Sequence, residues 1–86
     1  MIVVLYTPRF IRHYQKLSSA LRLEVDEKID AFRRNPRDPS LKLHKLKGAL
    51  KGYLSFSVNY AYRIIAEQDE KGVFALLAVG DHDVYK

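Results

Sequence analysis

The residues best suited to chemistry in this sequence are Arg63, in a predicted strand, and His82, near the end of the chain. Cleavage of an RNA phosphodiester needs a base for the 2′-hydroxyl proton, a cation that stabilises the phosphate charge, and an acid for the leaving oxygen. A guanidinium binds phosphate through two N–H groups, and an imidazole exchanges protons near neutral pH. Each residue also has a plainer interpretation. Arg63 could pair with Glu67 or Asp69, and His82 could bond to the aspartates beside it.

Two further residues are candidates for the same chemistry. Tyr85 could stack on a base or orient a proton, or it could cover the core near the end of the chain. His44 lies among lysines and could be a second acid or base, or a polar residue of an exposed edge strand. The sequence contains no P-loop, dinucleotide-binding glycine pattern, HExxH motif or EF-hand spacing. With three scattered histidines and no cysteine, we expect neither a metal nor another cofactor.

Charge is segregated along the 86 residues, which carry 15 Lys and Arg against 10 Asp and Glu. Between Pro39 and Ala66 there is no acidic residue, whereas the acids cluster in 24–30 and 67–70. The basic middle predicts a polyanionic partner, either a nucleic acid or an acidic protein segment, and its alternative is an ordinary solvated face. The candidate RNA-binding residues of this tract are Lys42, Lys45, Lys47 and Lys51.

The length allows one small domain, 1–86, and the absence of cysteine favours a reducing compartment. The longest apolar stretch, Val73–Val79, is much shorter than the roughly 18–20 residues of a membrane span. We therefore expect a cytoplasmic protein without a membrane role.

The apolar periodicity predicts an α+β fold. Ile2–Tyr6 is a short apolar strand, and Thr7 and Pro8 then start the first helix of a hairpin. Its second helix carries Leu21, Val25, Ile29 and Phe32 on one face and ends before Pro36. Three antiparallel strands follow and pack on the helices, with a turn at 68–72 and a central last strand at 73–79.

The alternation of apolar residues also predicts a register for the first two of these later strands. If Val58 opposes Tyr62 across a three-residue loop, both apolar sets face the helices, and Ser55, Ser57 and Arg63 share the opposite face. Such a loop predicts a left-handed conformation at Asn59 or Ala61, of which asparagine is the more tolerant. The face around Arg63 would then be polar and lined by small residues, with space for a ligand.

Three segments together resemble the RelE/ParE superfamily of bacterial and archaeal toxins. They are Leu43–Tyr53 (LHKLKGALKGY), Asn59–Ile65 (NYAYRII) and Val79–Tyr85 (VGDHDVY). The resemblance is strongest to the mRNA-endonuclease branch that contains RelE, YoeB and YafQ. It covers nearly the whole chain, because the strand, the helical hairpin and the later strands occur in the family's order.

The resemblance implies the toxin of a type II toxin-antitoxin pair, which cuts translated mRNA in the ribosomal A site by 2′-hydroxyl attack without a metal. Arg63 matches the arginine that stabilises the phosphate, His82 the general acid, and Tyr85 an aromatic position that orients the base or the nucleophile. His44 lies near a second histidine of YafQ-like members, and Lys45, Lys47 and Lys51 match basic positions that contact RNA. A cognate acidic antitoxin is the implied protein partner.

The general base remains open at this point. YoeB-like members place a glutamate between the helices and the arginine strand, but no acid lies between Asp38 and Glu67 here. The base would be His44, Tyr85 or Asp83. Two other functions also remain: a ParE-like toxin that inhibits DNA gyrase by binding, and an inactive basic remnant that binds nucleic acid.

Overall fold

The computed structural model describes residues 2–48 and 52–81, which form two α-helices and a five-stranded sheet. The elements are β1 (Val3–Tyr6), α1 (Pro8–Gln15), α2 (Ser19–Arg34), a 3₁₀ helix (Pro39–Leu41), β2 (His44–Lys45), β3 (Tyr53–Ser57), β4 (Arg63–Glu70) and β5 (Val73–Gly80). Across the sheet the order is β1-β5-β4-β3-β2, with β1 parallel to β5 and the other neighbours antiparallel. The predicted α+β class is confirmed, and β5 is central as expected.

Both helices begin at the caps that the sequence predicts. The hydroxyl of Thr7 accepts a hydrogen bond from the N–H of Phe10 at 3.2 Å, and Pro8 occupies the first turn, where a missing N–H costs little. The hydroxyl of Ser18 accepts from the N–H of Leu21 at 3.2 Å. The two caps satisfy free N–H groups at the helix starts and fix where the chain changes direction.

The core lies between α2 and the sheet. Val25, Ile29 and Phe32 are buried on one face of α2, while Leu21, one turn earlier, is only partly buried. The ring of Phe32 stacks on Phe56 of β3 with a centroid distance of 4.5 Å. It also meets Phe74 of β5 edge-on at 5.0 Å. These contacts bury the helix-facing side of the sheet.

The β3–β4 register is the one that the alternation predicts. Phe56 pairs with Ile64 and Ser57 with Arg63, and the N–H of Val58 donates to the carbonyl of Tyr62 at 2.9 Å. A slip of one residue would move Arg63 into the core. The register therefore fixes Arg63 on the sheet face that points away from the helices.

The prediction of a left-handed residue in the β3–β4 loop, at Asn59 or Ala61, is wrong. Over residues 2–48 and 52–81 the one non-glycine residue with positive φ is Lys42, at 51°. The loop closes through a side chain instead: Oδ1 of Asn59 accepts from the N–H groups of Ala61 and Tyr62, each at 2.9 Å. Because the asparagine side chain replaces a backbone acceptor, the loop turns without the left-handed conformation.

The left-handed Lys42 precedes the exposed edge strand that was the plainer interpretation of His44. It ends the 3₁₀ helix and redirects the chain into β2, which adds a short edge strand to the predicted three-stranded meander. Leu43 packs against the core, and His44 then pairs with Ser55 of β3. The result places His44 at the edge of the sheet.

The turn predicted for residues 68–72 is shorter in the structure. β4 continues to Glu70, which pairs with Val73, so that Lys71 and Gly72 alone form the turn. Gly72 has a φ of 80°, a conformation that glycine adopts without strain. The longer ladder makes β4 and β5 the most extensively paired strands of the sheet.

No helix of the described ranges is both long enough and apolar enough to cross a membrane.

Asn59→Ala should lower the free energy of unfolding by about 1–3 kcal/mol, because two buried or half-buried N–H groups lose their acceptor. Urea unfolding followed by circular dichroism measures the change. Glu24→Gln is the control, since it changes the group that accepts from Nδ2 of Asn59 at 3.1 Å and leaves the loop bonds intact. A loss as large in the control as in Asn59→Ala would contradict this role of the side chain.

Candidate functional site

Arg63 is the first residue of β4 and is held from both sides. It pairs with Ser57 on β3 and with Gly80 on β5, and its side chain is half-buried. Within the described part of the chain, the one ion pair joins Asp30 to Arg34, at 3.2 Å. Arg63 thus does not form the pair with Glu67 or Asp69 that was its plainer interpretation. A fixed guanidinium without a carboxylate partner there can bind an anion.

The two serines on the face of Arg63 are less available than the sequence suggests. Ser55 is 0% exposed and Ser57 is 7% exposed. The hydroxyl of Ser57 donates to the carbonyl of Asn59 at 2.8 Å and so supports the β3–β4 loop. The shared face is confirmed, but the two serines are buried and leave no open space at their own positions.

His44 lies on the same sheet face as Arg63, because it pairs with Ser55 and Ser55 pairs with Ile65. Two strand spacings separate β2 from β4, about 10 Å across the sheet. Nδ1 of His44 lies 3.0 Å from the carbonyl oxygen of Lys42. Since a carbonyl only accepts, Nδ1 of the neutral ring carries the proton and Nε2 keeps the lone pair. His44 is exposed and can take a proton through Nε2.

Lys42, Lys45 and Lys47 of the basic tract are exposed and line grooves on the helix-facing side of the sheet, at the edge formed by β2. Lys45 pairs with Leu54 and so belongs to the helix-facing side, opposite to His44. It lines a groove of about 740 Å³ together with Lys47, Asp69 and Glu70. Lys42 lines a second groove, beside the loop that follows α2. These lysines therefore do not share a face of the sheet with Arg63.

Three of the predicted site residues, His82, Tyr85 and Lys51, lie outside the described residues, as does Asp83, one of the candidate bases. The last strand before them, β5, ends at Gly80 directly opposite Arg63. In the rest of the chain no group of three His, Cys, Asp or Glu side chains is arranged to hold a metal ion.

His13 makes a contact at the end of β5 that the sequence analysis did not predict. Its Nδ1 accepts a hydrogen bond from the backbone N–H of Val79 at 3.3 Å, which ties α1 to the end of β5. The signal was present in the spacing, because His13 lies three residues after the buried Phe10 and one before the half-buried Tyr14. Those positions turn it toward the core side of α1.

The environment of His13 lowers its pKa below the usual 6.5. Desolvation is the first cause, and the positive charges of Arg9, Lys16 and Arg12 follow in that order. All of these disfavour the imidazolium. The neutral ring is also the form that can accept from Val79, so the hydrogen bond and the pKa agree.

Comparison with known families gives a match to the ParE toxin of type II toxin-antitoxin systems, parDE, over residues 4–84. The chain belongs to the ParE toxin family. It is thus the toxin of a type II system within the RelE/ParE superfamily, as the three sequence segments indicated. No curated protein sequence matches the toxin significantly.

Solved structures share the fold of this toxin at low sequence identity. YafQ from E. coli strain BL21(DE3) superposes with a TM-score of 0.80 at 15% identity, covering 99% of this chain and 98% of that chain. The RelBE2 toxin-antitoxin complex of Mycobacterium tuberculosis has a TM-score of 0.78 at 22% identity, covering 94% and 98%. A YoeB/ParE toxin from Agrobacterium tumefaciens has a TM-score of 0.76 at 18% identity, covering 94% and 99%. At these identities the likeness establishes the fold.

The lowered pKa of His13 predicts that the toxin loses stability in mild acid. The unfolded chain binds the proton more tightly than the folded one, so stability falls as the pH drops below about 6.5 and continues to fall down to the folded-state pKa. Urea midpoints between pH 7.5 and 5.5 measure the slope. His13→Gln should flatten this slope, and an unchanged slope in the variant would assign the acid sensitivity to other groups.

Proposed function

We propose that this toxin is an mRNA endonuclease. It cuts messenger RNA during translation on the ribosome, by attack of a 2′-hydroxyl on the neighbouring phosphate. The observation that carries the proposal is Arg63, a half-buried strand guanidinium with no ion-pair partner among residues 2–48 and 52–81. A guanidinium without a counter-charge there does not stabilise the packing of the sheet. The group can instead stabilise the negative charge that builds on a phosphate in the transition state.

His44 is the candidate for the general base. Its exposed Nε2 has a lone pair, and the bond from Nδ1 to the carbonyl of Lys42 holds the ring in that tautomer. His44 aligns through Ser55 with Ile65, two residues along β4 from Arg63, so the Cα atoms of His44 and Arg63 are about 12 Å apart. An arginine and a histidine side chain extending toward each other can bridge that distance. A phosphodiester between them would contact both.

The steps balance without an added reactant. Nε2 of His44 takes the 2′-hydroxyl proton, the 2′-oxygen forms a bond to phosphorus, and the bond from phosphorus to the 5′-oxygen breaks. Arg63 donates hydrogen bonds to the non-bridging oxygens, and His82 gives a proton to the leaving 5′-oxygen. The products are a 2′,3′-cyclic phosphate and a free 5′-hydroxyl. The roles of His82 and Tyr85 rest on the sequence resemblance.

The exposed lysines supply the long-range attraction for RNA. Lys42, Lys45 and Lys47 line grooves at the β2 edge of the sheet, and Lys51 belongs to the same tract of the sequence. Each phosphate contact releases counterions, so affinity for RNA should fall steeply with salt.

A cognate acidic antitoxin is the proposed protein partner, in the cytoplasm. Relatives of this fold have been solved as toxin-antitoxin complexes, including YoeB-YefM from Staphylococcus aureus. A disordered acidic segment that folds over Arg63 and the lysine tract would neutralise the charge and block RNA in the same step.

Inhibition of DNA gyrase by binding is the second candidate, because the matching family is that of ParE toxins. Such a toxin needs no catalytic histidine and no unpaired arginine. The two functions separate in one set of assays, since a gyrase inhibitor blocks supercoiling and leaves messenger RNA intact.

The test is cleavage of a defined mRNA on programmed ribosomes by the purified toxin, with cut sites mapped by primer extension. We expect cuts that need the ribosome and disappear in His82→Ala, whose thermal transition should be that of the parent protein. Arg34→Ala changes an exposed cation of α2 outside the lysine-lined grooves, serves as a surface-charge control and should retain cleavage. An intact message together with blocked supercoiling would replace the proposal by gyrase inhibition, and inactivity in both assays would leave an inactive nucleic-acid binder.

Arg63→Ala should reduce the cleavage rate by about 100-fold or more, and Arg63→Lys should fall between Ala and the parent protein. The reason is that lysine keeps the charge but loses the planar pair of N–H donors. Single-turnover rates on programmed ribosomes measure both variants. Equal rates for Ala and Lys would remove the two-donor contact with phosphate.

A further inference from the structure

A second basic cluster lies where α1 meets the end of β5. Arg9, His13 and Lys16 line a cleft of about 340 Å³ from the helix side, and Val79, Gly80 and Asp81 line it from the strand side. This α1–β5 cleft is not part of the site assembled from Arg63 and His44.

The basic residues of the cleft share one face of α1. Arg9, His13 and Lys16 follow at i, i+4 and i+7, the spacing that stacks side chains along a helix. The charges of Arg9 and Lys16 both lower the pKa of His13, so their fields meet at the imidazole between them. Neither cation forms an ion pair with any residue of the described ranges.

The hydrogen bond to Val79 turns His13 into a donor toward the cleft. Because Nδ1 accepts from the backbone N–H, the proton of the neutral ring is on Nε2. The cleft therefore has a guanidinium, an ammonium and an imidazole N–H on one helix face. Asp81 is also in the lining, and the two cations outweigh its charge.

Gly80 connects the cleft with Arg63. It lines the cleft and is also the register partner of Arg63, with the two Cα atoms about 5 Å apart as in any antiparallel pair. A glycine has no side chain, so no group of this residue separates the two positions. A chain with regularly spaced negative charges can reach both.

We propose that the α1–β5 cleft binds a backbone phosphate of the RNA next to the phosphate held by Arg63. This inference rests on the proposed function and extends its substrate contact onto α1. Donors that converge on a small cleft fit a compact phosphate, and an acidic protein segment would need a longer groove to place successive carboxylates. The cleft would thus fix the direction in which RNA crosses the end of the sheet.

The test compares two double variants with the same change in charge. Arg9→Ala/Lys16→Ala removes the cations of the cleft. Lys28→Ala/Arg34→Ala removes one lysine and one arginine from α2, outside the cleft and outside the grooves lined by Lys42, Lys45 and Lys47. The readout is the fluorescence anisotropy of a labelled 12-nucleotide single-stranded RNA, titrated at several salt concentrations. Thermal unfolding checks that both variants remain folded.

The cleft variant should bind this RNA about tenfold or more weakly, and the slope of log K against log salt should fall by about 0.7, the value for one lost phosphate contact with a single strand. The control variant should change affinity less than half as much on a logarithmic scale. Equal losses would reduce the effect to net charge and overturn the proposal. It would also be overturned by unchanged RNA binding alongside lost binding of a poly-glutamate peptide, which would assign the cleft to an acidic protein.

Binding and cleavage separate this inference from the proposed function. A toxin that binds RNA through the cleft but leaves mRNA intact on ribosomes contradicts the endonuclease and keeps the cleft. A toxin that cuts mRNA on ribosomes equally well with and without Arg9 and Lys16, and binds the 12-nucleotide RNA equally well too, contradicts the cleft and keeps the endonuclease.

Discussion

The position of α1, and with it that of the basic residues beside the end of β5, depends on how the outer backbone edge of β5 is satisfied. β1 pairs with this edge over Val73–Leu76 and then ends. Beyond that point α1 replaces the strand: the N–H and hydroxyl of Thr7 both donate to the carbonyl of Leu76, at 3.3 and 2.7 Å, and His13 accepts from Val79. Since a buried backbone group without a partner costs about 1–3 kcal/mol, these contacts determine where α1 lies. They bring its basic face to the end of β5 and beside Gly80.

The second constraint is the register of β3 and β4, because it decides which side of the sheet Arg63 faces. The register itself depends on the short loop in which Asn59 supplies the acceptor for two backbone N–H groups. Asn59 also donates to Glu24 of α2, which connects the loop to the helical layer. A polar side chain far from any reacting atom thus helps to present the guanidinium. Ser57 supports the same loop, so its burial reflects structure and not substrate binding.

The sequence predicted those features that depend on side-chain polarity and on strong local signals. The helix caps, the alternation in β3 and β4, and the central apolar β5 follow from the period of burial and from residues that tolerate few conformations. The structure added features that depend on contacts between distant segments. β2 needs the edge of β3 and the left-handed Lys42, and nothing in the local pattern of His44–Lys45 indicates a strand. The loop conformation at Asn59 was predicted wrongly because backbone propensity was considered without the side-chain acceptor.

The candidate site also has features that the sequence predicted and features that only contacts between distant segments reveal. Arg63 and its face followed from alternation, and the structure removed its alternative partners among the described residues. His44 was named from its neighbours in sequence, but its tautomer follows only from the contact with the carbonyl of Lys42. His13 was not among the candidates from the sequence, because its partner is a backbone N–H that lies 66 positions away in the chain. A histidine on the core side of a basic helix is the pattern that indicates such a contact.

Segregated charge explains how one small surface can serve both activity and inhibition in the proposed function. Residues 1–23 and 39–66 contain no acid. The fold brings Arg9 and Lys16 of the first segment and Arg63 of the second to the end of β5, whereas Lys45 and Lys47 lie beside Asp69 and Glu70 at the other end of β4. In that function RNA and an acidic antitoxin segment would be attracted by the same cations, so their binding would be mutually exclusive for electrostatic as well as steric reasons. The arginine that carries the proposal has no ion-pair partner among residues 2–48 and 52–81 and suits a phosphate. Because the fold is common to the superfamily, it is this local arrangement, and not the architecture, that favours RNA cleavage over gyrase binding.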